Sequence, residues 1–138
     1  MTIDNDTALD VGSRVRREVL GDAHVERSLA KATAFSRPLQ ELVTEYCWGT
    51  VWARPGLPRG TRSLLTLVML TALGRGQELR LHVRGALNNG VTPGEIREAL
   101  LQAAIYCGVP AALEAFRGAE EVFAAEGVDL SGPTVHND

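Results

Sequence analysis

Cysteine is scarce in this 138-residue sequence: Cys47 and Cys107 are the only two, sixty positions apart. Neither has a partner at C-x-x-C or zinc-ligand spacing, so a disulfide framework and a structural zinc site find no support, and both read as small apolar core residues. Histidine is nearly as rare. His24, His82 and His136 are all there is, the last in a polar tail, too few for a histidine metal cluster. Neither charge sign dominates: 14 basic against 17 acidic residues leave a net charge of -3, and the arginines are scattered, which gives no footing for a nucleic-acid partner. There is no long hydrophobic run either. The longest, Leu64 to Leu73, is interrupted by threonines and is about half the ~20 residues a membrane span needs. The opening MTIDNDTALD is acidic and lacks the basic-then-apolar order of a secretory or mitochondrial leader, so a cytoplasmic location is the expectation.

With 45% hydrophobic and 22% charged residues, the chain has the composition of one ordinary globular domain over residues 1–138, with 1–9 and 131–138 expected to be loose. Helical spacing runs throughout. Val15, Val19 and Leu20 mark a first helix and GDAHVERSLAKAT a second, neither with obvious chemistry. Near Ser36, with Pro38 in the first turn, a third begins that puts Leu39, Leu42, Val43, Tyr46 and Thr50 on one face and ends at PGLPRG. Thr61 opens TRSLLTLVMLTALG, which has too few polar positions for a wet face and is expected at the centre of a bundle; Gly74 and Gly76 break it. The next helix stops at Asn88-Asn89-Gly90. Thr92-Pro93-Gly94-Glu95 is a capping box that starts another, interrupted at Gly108-Val109-Pro110 and stopped by Gly127. No segment alternates apolar with polar residues, so the fold class is all-α, a bundle of six or seven helices.

One helix carries a candidate site. Leu79, Val83, Ala86 and Leu87 form its apolar stripe, while Arg75, Glu78, His82 and Asn89 form a polar line beside it at the edge of the core; Gln77, Arg80 and Arg84, opposite the stripe, should meet solvent or a neighbouring subunit. A glutamate four residues before a cation is also a common stabilising helix pair of about 0.2–0.5 kcal/mol. Two features favour a site: Gly85, one turn beyond His82, leaves room for a ligand, and Arg75, one turn before Glu78, offers a group for a carboxylate.

The blocks REVLGDAHVERSLA, EYCWGTVWARPGL, TRSLLTLVMLTALGR, ELRLHVRGALNNGVTPGEIREALLQAAIYCGVPAA and AFRGAEEV, in this order, resemble the 4-carboxymuconolactone decarboxylases over most of the chain. That resemblance implies an AhpD-like all-helical fold and a homo-oligomer, a hexamer built as a trimer of dimers. The redox branch of the superfamily carries C-x-x-C followed by three residues and a histidine. Here Arg75 and Glu78 stand at the cysteine positions and His82 keeps its place, which removes the dithiol and leaves charges suited to holding an acid and moving a proton.

The reaction implied is loss of CO2 from the γ-carbon of a butenolide, 4-carboxymuconolactone, to give 3-oxoadipate enol-lactone in the protocatechuate branch of the β-ketoadipate pathway. The ring double bond and lactone carbonyl accept the electron pair, so no cofactor and no metal is expected. His82 is assigned to protonate or hydrogen-bond the dienolate with Glu78 orienting it, the reverse division of roles standing beside this; Arg75 is the first choice for a substrate carboxylate. Trp48, Trp52 and Tyr106 are candidate pocket walls, or else ordinary core or interface aromatics. Arg59 and Arg62 add positive charge or pair at a helix start. Three other functions stay open: another small acid or lactone as substrate, a thiol oxidoreductase using Cys47 or Cys107, and a non-catalytic scaffold.

Overall fold

The computed structural model describes residues 5–131, and seven α-helices with one π-helical segment account for the regular structure among them. The fold is all-α. Its contacts divide into two compact units, Met1–Pro58 and Arg59–Asp138. Of the termini expected to be loose, residues 1–4 and 132–138 lie outside the described residues.

In the N-terminal unit, α1 (Ala8–Leu20) starts earlier than the sequence suggests, because Thr7 and Asp10 form a capping box. The Thr7 hydroxyl accepts from the Asp10 amide at 3.2 Å and the Asp10 carboxylate accepts from the Thr7 amide at 3.1 Å. Helix α2 (Asp22–Ala30) follows at Gly21, and α3 (Arg37–Leu42) begins with Pro38 in its first turn. From Val43 to Trp52 the chain then widens into a π-helix, which a uniform helical period does not anticipate. The Thr50 hydroxyl donates to the carbonyl five residues back, Glu45, at 3.1 Å.

Most of the face expected to be apolar is the outer one. Leu39, Leu42 and Tyr46 are exposed, while Thr44, Trp48 and Trp52, four apart, are buried. The two indoles stack at 4.9 Å between ring centroids. What makes the crossing with α1 possible is glycine at both contact points: a Cβ on Gly12 would lie 1.8 Å from the Thr44 carbonyl oxygen, and one on Gly49 would lie 2.0 Å from that of Ala8. Backbone therefore meets backbone.

In the C-terminal unit α4 (Arg59–Leu73), α5 (Gly76–Asn88), α6 (Pro93–Cys107) and α7 (Val109–Ala125) surround one apolar core that includes Leu67, Leu79, Val83, Ile96, Leu100 and Phe123. Helix α4 is not buried all round as its composition suggests. Ser63, Leu67 and Thr71 face the core, with the Ser63 hydroxyl accepting from the Asn89 amide at 2.9 Å, while Leu65, Met69 and Leu73 are exposed. The Thr92–Glu95 capping box forms as expected, and Gly108 separates α6 from α7 with φ 103°. Among the described residues no helix is long and apolar enough to cross a membrane.

Candidate active site

The α4–α5 turn sets the start of the candidate line. Gly74 takes φ 69°, which a side chain would resist, and this lets the Arg75 amide turn back to donate to the Leu70 carbonyl at 2.9 Å. Arg75 becomes the N-cap of α5, exposed.

Two contacts then fix the rotation of α5 about its axis. Leu79, Val83 and Ala86 enter the core. On another flank Arg80 Nε donates to Glu121 at 2.7 Å and Arg84 Nε to Glu126 at 2.6 Å, both on or at the end of α7. Those two arginines, expected to meet solvent or a second subunit, instead tie helices together; the Glu121 carboxyl holds the Arg80 guanidinium above its ordinary pKa and is itself held below the usual carboxylate range. With two flanks committed, Glu78 is left exposed and His82 half-buried, one turn apart at roughly 5–6 Å between Cβ atoms. No hydrogen bond or ion pair joins Glu78 to another described residue. Gly85 is buried, on the packed side of the helix rather than in open space.

The cavity beside Arg75, walled by Leu70, Thr71, Leu79 and Glu114, measures about 20 Å³. That is room for one water, not for a lactone. Arg75, Glu78 and His82 thus share one helix of the C-terminal unit. Tyr106 is near the end of another helix, α6, and is 83% exposed. Trp48 and Trp52 are packed against each other within the N-terminal unit. Both cysteines are free and lie in different units, and neither is the core residue expected: Cys107 is exposed and Cys47 half-buried, enough to push its thiol up, which works against a nucleophilic role.

One polar residue escaped sequence reasoning. Arg16, on a helix judged to carry no chemistry, is 6% exposed. The signal was there, since Gly12, Val15, Arg16, Val19 and Leu20 share the buried face of α1.

Residues 37–121 match the carboxymuconolactone decarboxylase family. The chain belongs to that family. The matched stretch contains the whole Arg75–His82 line and leaves Arg16 outside it. Among its relatives, the 4-carboxymuconolactone decarboxylase of Acinetobacter baylyi is 50% identical over 117 residues, 85% of this chain and 87% of the relative. The nitrosuccinic acid decarboxylase of Metarhizium robertsii is 58% identical over 106 residues, 77% of this chain and 74% of the relative. A 4-carboxymuconolactone decarboxylase of Pseudomonas putida is 45% identical over 47 residues, 34% of this chain and 98% of the relative.

Proposed function

We propose that this protein is a cytoplasmic, cofactor-independent decarboxylase of 4-carboxymuconolactone, giving 3-oxoadipate enol-lactone in the protocatechuate branch of the β-ketoadipate pathway. What carries this reading is the charged line Arg75, Glu78, His82 on α5, inside the family match, in a chain 50% identical to a decarboxylase of that lactone over most of both lengths.

In the reaction the bond between the γ-carbon and its carboxylate breaks and CO2 leaves. The electron pair passes through the ring double bond to the lactone carbonyl, and one proton returns to the α-carbon. His82 donates that proton, since an imidazole exchanges protons near neutrality and this one sits at the rim of the core, where water is partly excluded. Glu78 orients the imidazole once substrate is bound, and Arg75 holds the carboxylate that stays. Tyr106 supplies a pocket wall; Trp48 and Trp52 support the N-terminal unit from its core. The cavity beside Arg75 is too small to enclose a lactone alone, and Leu65, Met69, Leu73, Ile105 and Tyr106 are apolar or aromatic surface on α4 and α6. A homo-oligomer, a hexamer built as a trimer of dimers, covers that surface and closes the site.

The 58% identity to a nitrosuccinic acid decarboxylase favours a second reading with the same residues. Nitrosuccinate also has two carboxylates and its own electron sink: losing the carboxylate next to the nitro group leaves a nitronate that needs one proton. Purified protein given each acid separately, with CO2 release followed, decides by the ratio of kcat/KM values. His82→Ala and Glu78→Gln are expected to lower kcat about 10²- to 10⁴-fold on the preferred acid, the usual share of a positioned acid or base. Folded wild type that turns over neither acid, or variants with wild-type kcat, would overturn the assignment.

A further inference from the structure

The N-terminal unit contains a second, larger cavity of about 340 Å³, within the range of small-molecule sites and lined in part by Ser13, Arg16, Arg37, Gln40 and Thr44. Its innermost charge is Arg16. The guanidinium Nη1 donates to the Thr44 hydroxyl at 3.2 Å, and that hydroxyl donates in turn to the Gln40 carbonyl at 2.7 Å, so Thr44 orients the arginine and has no proton left for a ligand. Arg16 Nε is buried and has no acceptor. Its neighbours on α1 are all paired, Arg14 with Asp6 and Arg17 with Asp22 and Glu26, but no described carboxylate pairs with Arg16.

An unbalanced guanidinium is expensive to bury, because arginine does not neutralise itself by losing its proton. The groups around it do not balance it. Asp10 also lines the cavity, but its carboxylate is engaged by the amide and hydroxyl of Thr7, at 3.1 and 2.9 Å. Glu41 is exposed and makes no pair with Arg16. Cys47, whose field also reaches Arg16, has its thiol pushed up by burial and stays neutral at pH 7. Gln40 Oε1 is buried without a donor as well; rotating that amide would put its N–H groups where the oxygen now is. A buried guanidinium without a carboxylate, an amide oxygen without a donor and a second arginine, Arg37, line one space of ligand size.

We propose that this cavity is a binding site for a small dicarboxylate, one carboxylate taken by Arg16 and Gln40 and the other by Arg37. A carboxylate is the matching anion because its two oxygens fit the Nε edge of a guanidinium. The occupant is a dicarboxylate separate from the acid held by Arg75, and its binding does not rest on the decarboxylase reading.

Succinate is the probe and neutral succinamide the control, with the Arg16 Nε–H and Thr44 amide signals of the full-length protein followed by NMR. Succinate should move both signals saturably and succinamide neither. Arg16→Met, which removes an unbalanced charge and keeps the stem, should fold and lose about 10- to 100-fold in succinate affinity by calorimetry, the scale of a hydrogen bond to a charged group. Arg75→Gln should bind at this site as wild type does. Wild-type signals unmoved by succinate would overturn the proposal even if Arg16→Met failed to fold, and so would folded Arg16→Met binding with wild-type affinity. Succinate bound at Arg16 without competing for turnover is the expected result. Competitive inhibition of turnover by succinate that weakens in Arg16→Met would overturn a site separate from that of the substrate.

Discussion

Gly12→Ala sets two physical effects against each other in the N-terminal unit. Gly12 lies inside α1, where alanine is the better helix former by about 1 kcal/mol. Its new Cβ, however, would come to 1.8 Å from the Thr44 carbonyl oxygen and 2.8 Å from the Gly49 amide nitrogen. Both are backbone atoms that no rotamer change can move aside. The helices must part by roughly 1 Å or more, a gap that forfeits about half the dispersion energy along the contact. Overpacking of this kind costs about 1–3 kcal/mol and more when backbone must shift, so the clash wins and the net loss should be at least about 2 kcal/mol. Urea denaturation followed by tryptophan fluorescence is the assay, because Trp48 and Trp52 are the protein's two tryptophans and both report from this unit. Gly118→Ala, in the other unit and followed by circular dichroism, is the control: its Cβ would meet the Leu79 Cδ2 at 3.2 Å and Arg80 side-chain atoms at 3.4 Å, side chains rather than backbone. A Gly12→Ala protein as stable as wild type would refute the backbone contact between α1 and the π-helix.

The thiols give a second prediction. Cys47, with its thiol raised by burial, should react slowly with a thiol reagent at neutral pH, and Cys47→Ser with Cys107→Ser should keep decarboxylase activity; loss of activity with the fold intact would reopen the oxidoreductase reading. A third concerns acid. The Glu121 carboxyl is held below its ordinary value of 4.5 by Arg80, so the pair's stabilisation is complete above that pH and is lost as pH falls through the lowered value. Glu121→Gln should therefore narrow the stability gap between pH 7 and pH 3 in thermal melts, and an unchanged gap would count against the pair.

Much of the fold was legible in the sequence because it rests on local chemistry. The Thr92–Glu95 box, Pro38 in a first turn, and the glycines at 74, 108 and 127 each act within a few residues, and they mark helix ends where the structure has them. The Arg75–Glu78–His82 line could be read in the same way, from helical spacing alone. Non-local features could not. A π-helix needs one more residue per hydrogen-bonded turn, and within it Tyr46 faces outward and Thr44, Trp48 and Trp52 inward, while Leu39 and Leu42 of the preceding α3 are exposed as well. The salt bridges of Arg80 and Arg84 depend on α7, about forty residues away, and no period along one helix encodes them.

The sequence by itself determined that the chain is helical and where most helices end, because hydrogen bonds and caps act over three or four positions. Only the tertiary structure decided which face is buried, which arginines find carboxylate partners, and that Arg16 finds only a hydroxyl. Burial and pairing are set by what other segments bring to the same place.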